Sequence, residues 1–378
     1  MWNACYLKRL DFRVIPVIVS LMIISLLVIS SYSPVANADY REEQFWTPLV
    51  RTQLQWFAIG SVLYIICACF DYNKLREWTW ILYFLMLLAL IGLFFTDSIQ
   101  RVHRWYRIPF INISFQPSEQ AKFIVVITLS WFLEKQGQLT SNWGVVFCAL
   151  AIVAIPFFLI LKQPDLGTAL VLFPISLGMF YFGNLRRSVI KWMSLIAGCA
   201  LMLIALIFLG ILPHETLRPY ATKVVKEYQF DRLDPNTHHQ KAAATAIALG
   251  GIAGTGWHKS DYSGKGWLPY PYTDSVFPAF GEEFGMIGLL ILMMLYYALI
   301  YFSFQVTAVA KDPFGRLLAA GVTVYLATHV LMNSSMMCGF FPITGEPLIL
   351  VTYGGSSIMS TMIALGILQS IYSRRFMF

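Results

Sequence analysis

Long apolar runs alternate with polar stretches along almost the whole chain. Ten of them predict membrane-crossing helices, at about 13–31, 47–70, 77–96, 120–134, 143–161, 166–183, 188–212, 276–304, 315–338 and 348–372. The fourth, at about 15 residues, is short for a crossing and predicts a helix that tilts or begins deeper. A helix satisfies its own backbone in lipid, whereas strands do so only by closing a barrel, and no barrel-like alternation is visible. The pattern therefore predicts an all-α polytopic membrane protein with about ten transmembrane helices. It forms a single membrane domain over 1–378, with no separate soluble domain. One polar segment, 213–275, is too long for a plain connector, and its aromatic residues and glycines predict order.

Composition sharpens this picture. Only 12% of the residues are charged, about half the share of a soluble domain. The net charge of +7 is spread over the loops, which points to orientation in a membrane rather than to nucleic acid. With the N-terminus in the cytoplasm, thirteen of the 27 Lys and Arg fall inside and about seven on short outside loops. Both termini are then cytoplasmic, and 213–275 is extracytoplasmic. Ala36-Asn37-Ala38 resembles a signal-peptidase site, but the preceding apolar run is longer than a usual signal and the site lies well beyond it, so an uncleaved anchor is expected. The six cysteines lie mostly in apolar segments without metal-ligand spacing, and neither a metal site nor a disulfide framework is predicted.

Four polar constellations fall on outside loops in this topology. The first, HRWYRIPFINISFQPSEQAKF, offers Arg104 and Arg107 as guanidinium forks for phosphate oxygens, and places Glu119 and Lys122 three apart on one helical face. The plainer reading is an interfacial anchor with a surface ion pair worth under ~1 kcal/mol. In the second, Lys162 and Asp165 flank Pro164 in a tight turn, which is either structural or a polar wall of a cavity. The third joins the glycine run ALGGIAGTGW to Asp274, Glu282 and Glu283 at the start of an apolar helix, with Pro278 as the place where that helix can bend. No strand and no Lys-Ser/Thr accompany the glycines, which argues against a nucleotide loop. A carboxylate at membrane depth costs roughly 2.5–3.5 kcal/mol on insertion scales, so these acids call for a function. The fourth, CGFFPITGEPLILVTYGGSS, is stiff and non-helical before the final span. Such backbone at depth must be buried in protein or line a water-filled cavity.

The same residues resemble the SEDS family (shape, elongation, division and sporulation), and the RodA branch in particular. The matching residues are Arg104-Trp105, Gln116-Pro117-Ser118-Glu119 with Lys122, Lys162 before Gln163-Pro164-Asp165-Leu166-Gly167-Thr168, and Leu233-Asp234-Pro235. They continue with Gly250-Gly251, Gly254, Gly256-Trp257, Thr273-Asp274, Gly281-Glu282-Glu283, Thr344-Gly345 and Tyr353-Gly354-Gly355-Ser356-Ser357. The resemblance covers the third to tenth spans. Departures include Ala242-Ala243 for a Gln-Ser, downstream of His239 and Gln240, and Glu346 for an apolar residue.

The resemblance implies a peptidoglycan glycosyltransferase that polymerises lipid II outside the bacterial inner (cytoplasmic) membrane, for cell-wall elongation and cell shape. It implies Asp274 as the essential aspartate and catalytic residue. Arg104, Gln116, Glu119, Lys122, Lys162, Asp165, His239, Glu282, Glu283, Thr344 and Ser356 are implied as substrate-binding residues. It further implies a divalent cation (magnesium or manganese), no organic cofactor, and as partners a class B penicillin-binding protein and other membrane proteins of the elongation complex. On chemical grounds Asp274 is then the base for a sugar hydroxyl, and Arg104, Lys122 and Lys162 balance the charge of a departing pyrophosphate. A lipid II flippase is the alternative, because buried carboxylates and a basic cavity serve transport equally. A scaffold without chemistry is a third reading.

Overall fold

The computed structural model describes residues 4–32, 45–95, 105–108, 113–221 and 227–376. The Ala36-Asn37-Ala38 segment and Arg104 lie outside them. Three helices open the chain, α1 (Val14–Ser31), α2 (Pro48–Cys69) and α3 (Leu75–Gly92). A small antiparallel hairpin follows, β1 (Tyr106–Ile108) and β2 (Ile113–Phe115), in register Tyr106 to Phe115. It is a departure from the purely helical expectation. Next come α4 (Pro117–Gln136), α5 (Trp143–Lys162), α6 (Leu166–Phe182) and α7 (Arg187–Phe208). The long polar segment carries the short helices α8 (His214–Ala221), α9 (Glu227–Phe230) and α10 (His238–Gly250). The chain closes with α11 (Val276–Val309), α12 (Pro313–Met337) and α13 (Gly355–Ser373).

Ten of these helices lie on the ten expected runs, although the last begins at Gly355 rather than at 348, because 348–354 is irregular buried backbone. Eight are long and apolar enough to cross a membrane. At 17 residues α6 is shorter, and α4 carries Glu119, Lys122, Glu134 and Lys135. The short fourth run is thereby explained: α4 begins at Pro117, before its apolar stretch, and buries Glu119 and Lys122 in protein rather than in lipid.

Local chemistry starts several helices where they begin. Thr47, Asp165, Thr237 and Asp312 each accept a backbone N–H of the following first turn, and Pro occupies the opening position of α2, α4 and α12, where no N–H is needed. The central helices are α12 and α13: α12 packs on α4, α6 and α11, and α13 on α2. By contrast α7 leaves Trp192, Leu195, Ile196 and Met202 exposed, as a lipid-facing helix does.

Two irregular features position the site. First, α11 breaks at Gly285 (φ 63°) rather than bending at Pro278. The freed backbone is taken up by the glycine run: Thr255 and Gly256 donate to the carbonyls of Glu282 and Glu283 at 2.9 and 3.0 Å. Met286 and Ile287 donate back to Gly251 and Ile252 at 2.9 and 3.2 Å. A Cβ on Gly254 would meet the Glu283 carbonyl oxygen at 2.1 Å, so the glycines serve close backbone approach.

Second, residues 338–354 run without regular structure between α12 and α13, and Leu348, Ile349, Leu350 and Val351 are fully buried. Their carbonyls are satisfied by side chains of the surrounding bundle. Tyr296 donates to Ile349 (2.8 Å), Ser25 to Val351 (2.8 Å), Asn333 to Glu346 (2.8 Å) and Gln53 to Thr352 (3.3 Å).

Replacing Tyr296 with Phe strands the Ile349 carbonyl in the interior and is expected to cost about 1–3 kcal/mol. The exposed neighbour Tyr297→Phe is expected to be neutral. Unfolding of the purified variants in detergent measures the difference.

Candidate functional site

Asp274 closes the long polar segment immediately before α11. A turn in which Thr273 and Ser275 donate to the Tyr270 carbonyl (3.1 and 3.2 Å) brings it there. Its position is then fixed from below by Asn333 on α12. That amide nitrogen donates both to the Asp274 carbonyl (3.1 Å) and to the Glu346 carbonyl (2.8 Å), tying the start of α11 to the 342–347 loop. A Cβ on Gly345 would lie 3.4 Å from Asp274 Oδ2, so the loop abuts the carboxylate itself.

The Asp274 carboxylate is half-buried and accepts no hydrogen bond among the described residues. Loss of hydration pushes its pKa up to about 6, against the pull of the Arg232 guanidinium. Arg232 in turn donates to the Thr344 carbonyl at 3.3 Å. On the other side, His239 Nε2 lies 2.6 Å from Ser275 Oγ, and burial, with His238 nearby, lowers its pKa. A half-exposed carboxylate that is poised near neutrality and not engaged by the fold can accept a proton from a bound molecule.

A second cluster lies across the loop. Lys122 is completely buried, and its ammonium reaches three acceptors: Glu119 Oε1 at 2.8 Å, His329 Nε2 at 3.0 Å and Glu346 Oε2 at 3.2 Å. The Tyr325 ring stands 5.9 Å away. The expected Glu119–Lys122 pair thus exists, but as a buried network rather than a surface pair. An ammonium has three protons, and all three are engaged. Lys122 therefore does not offer a free donor to a phosphate, which corrects the role expected for it.

Asp165 forms a third node. As the cap of α6 its carboxylate accepts from Gln116 (3.0 Å), Ser118 (3.1 Å) and Thr168 Oγ1 (2.9 Å). Gly167, two residues on, lets the loop in, since a Cβ there would meet the Thr344 carbonyl at 2.6 Å and Glu346 Oε1 at 2.9 Å. Gln116, Glu119, Lys122, Asp165, Thr344 and Asp274 are thus gathered around one loop.

The other expected residues stand apart from that group. Glu282 accepts from the backbone of Tyr262 and Ser263 at 2.9 Å each, and from the Ser263 hydroxyl. Glu283 accepts from His258 N (3.2 Å) and Ser31 Oγ (3.1 Å). Both carboxylates are buried and fasten the 255–263 segment and α1 to α11, so they hold the loop that presents Asp274. Ser356 is buried in the first turn of α13, where its carbonyl accepts from Ser360 at 2.8 Å. Lys162 is exposed at the end of α5, without an ion pair among the described residues.

Arg232, Asn333 and His329 were not singled out by the sequence. Arg232 stands directly before the Leu233-Asp234-Pro235 match, which was the available signal for it. Asn333 and His329 sit in an apolar span, where a polar side chain is itself a signal.

The model of the family that groups FtsW, RodA and SpoVE, described as cell cycle protein, matches residues 12–375. The peptidoglycan glycosyltransferase MrdB of Escherichia coli is 30% identical over 372 residues, covering 97% of this chain and 94% of that protein. MrdB of Helicobacter pylori is 30% identical over 328 residues, covering 85% and 83%. A solved structure described as "Structural coordination of polymerization and crosslinking by a peptidoglycan synthase complex" shares the fold, with a TM-score of 0.73 at 22% identity over 97% of this chain and 98% of the other.

Lys122→Met leaves Glu119 and Glu346 buried without their cation and is expected to cost about 3–5 kcal/mol. Lys162→Met, at an exposed helix end, is expected to stay within about 0.5 kcal/mol. Chemical unfolding of the two purified variants measures both.

Proposed function

The chain belongs to the family of FtsW, RodA and SpoVE, and on that footing we propose that it is a peptidoglycan glycosyltransferase. It polymerises lipid II into glycan strands at the outer face of the bacterial inner membrane, in cell-wall elongation, with both termini in the cytoplasm. The observation that carries this reading is the unengaged Asp274 carboxylate, held against the 342–347 loop with its pKa near neutrality.

In the proposed reaction the acceptor's sugar hydroxyl attacks the anomeric carbon of the donor. The carbon–oxygen bond to the polyprenyl pyrophosphate breaks, and its electron pair leaves with the pyrophosphate. The hydroxyl proton passes to Asp274, an assistance worth about 10²–10⁴-fold. Charge on the leaving group is met by Arg232, which stands beside Asp274, and by the exposed Lys162. The buried Lys122 cluster and the Asp165 node keep the loop in place. Gln116, Glu119 and Thr344 act with them, as do the carboxylates of Glu282 and Glu283 on the other face.

Magnesium or manganese would neutralise charge on the substrate's phosphate oxygens. Among the described residues no group of three or more His, Cys, Asp or Glu is arranged to hold such an ion. As partner we propose a class B penicillin-binding protein that crosslinks the strands, in company with other membrane proteins of the elongation complex. The coupling of polymerisation and crosslinking named for the solved relative supports this pairing.

Fluorescent lipid II in liposomes tests the reaction. The enzyme is expected to lengthen the substrate without relocating it, and relocation without lengthening would identify a flippase instead. The rate of polymerisation is expected to fall about tenfold per pH unit below pH ~6, because a protonated Asp274 cannot accept the hydroxyl proton. Arg232→Gln removes the charge that opposes the burial effect, so this acid limb is expected to move to higher pH; a limb that stays in place separates Arg232 from Asp274.

A further inference from the structure

Glu346 lies in the 342–347 loop, and the fold places it within reach of His329, 17 residues away on α12. These two residues complete the surroundings of Lys122. Because the lysine ammonium only donates, His329 Nε2 must accept from it, which leaves the ring hydrogen on Nδ1. Nδ1 is fully buried, makes no hydrogen bond of standard geometry among the described residues, and lies 3.5 Å from Glu346 Oε2, with the Pro347 carbonyl as the other acceptor near the ring. Glu119 Oε2 is buried without a partner too.

The charge count is uneven. Lys122 contributes one positive charge, Glu119 and Glu346 two negative ones, and neutral His329 none. Asp165 adds a further negative field, and the remaining neighbour, Tyr325, is neutral. A buried cluster with a net negative charge gains by taking up one proton. Glu346 is also the residue whose carbonyl Asn333 ties to Asp274, and its neighbour Gly345 touches the Asp274 carboxylate.

We propose that Glu346 and His329 are positioning residues: Glu346 takes up the proton that neutralises the Lys122 cluster, beside the Nδ1 hydrogen of His329, and so holds the 342–347 loop against Asp274. For catalysis this rests on Asp274 being the base of the reaction above. Burial and Glu119 push the Glu346 carboxyl up to about 7, with Lys122 pulling the other way. The sign follows by linkage. A carboxyl with a raised pKa in the docked loop binds its proton more tightly there than when undocked. Docking is therefore strongest at low pH and weakens as pH rises towards 7, levelling off above it. Asp274 contributes in the same direction only up to about 6.

Hydrogen exchange over residues 342–352 of the purified full chain, corrected for the intrinsic rate, tests the proposal without any substrate. Wild-type protection is expected to fall about fivefold between pH 6 and 7, and E346Q, a neutral mimic of the protonated residue, is expected to keep its protection across that step. A flat wild-type profile, or the same fall in E346Q, would overturn the proposal. H329L supplies a second test if E346Q does not fold. Without the Nδ1 hydrogen the fall is expected to continue about one pH unit higher, and an unmoved profile would again overturn it.

In lipid II polymerisation E346L is expected to lower kcat about tenfold with KM within twofold, and E346Q is expected to restore kcat. Equal loss in both variants would overturn the positioning role. Wild-type protein that does not polymerise lipid II at all would contradict the functional reading, while the exchange profile still decides the proton's place.

Discussion

Everything around the site depends on keeping irregular backbone inside a bundle of membrane helices. Residues 338–354 lack the regular carbonyl partners of a helix, and hydrocarbon supplies none. The fold meets this constraint with individual side chains from α1, α2, α11 and α12, each donating to one carbonyl of the segment. The segment is rigid because so many elements converge on it, and rigid elements are what a reacting group needs behind it.

Asp274 stands between two such irregularities. On one side is the buried segment, joined to it through Asn333 and Gly345. On the other, the glycine run clips into the break of α11, and Glu282 and Glu283 fasten the adjoining segment by its backbone N–H groups. The three acids of one short stretch thus divide their work. Two are consumed in holding structure, and the third is left half-exposed with a pKa raised by its surroundings.

What was legible in the sequence follows from the range of each interaction. The helices are encoded by run length: one lies on each of the ten runs, and eight of them are long and apolar enough to cross a membrane. The tenth starts at Gly355 rather than at 348. The Glu119–Lys122 pair follows from a spacing of three on a helix. Its buried character does not, because His329 and Glu346 lie more than 200 residues further along the chain and only the fold brings them in. The glycine run announced a close approach but not its partner. The break in α11 was expected at Pro278, yet proline near a helix start needs no break, whereas Gly285 takes a left-handed conformation. Arg104, expected to contact phosphate, lies outside the described residues, and the guanidinium whose charge acts on Asp274 belongs to Arg232.

The central claim is that one unengaged carboxylate takes the proton in the reaction, while the buried charges of the Lys122 cluster and of Glu282 and Glu283 hold the structure around it. Polymerisation of lipid II by purified Asp274→Asn protein tests this most directly, with hydrogen exchange confirming that the fold is intact. The account predicts a native exchange pattern with turnover reduced by about two orders of magnitude or more. Wild-type turnover in that variant would contradict it.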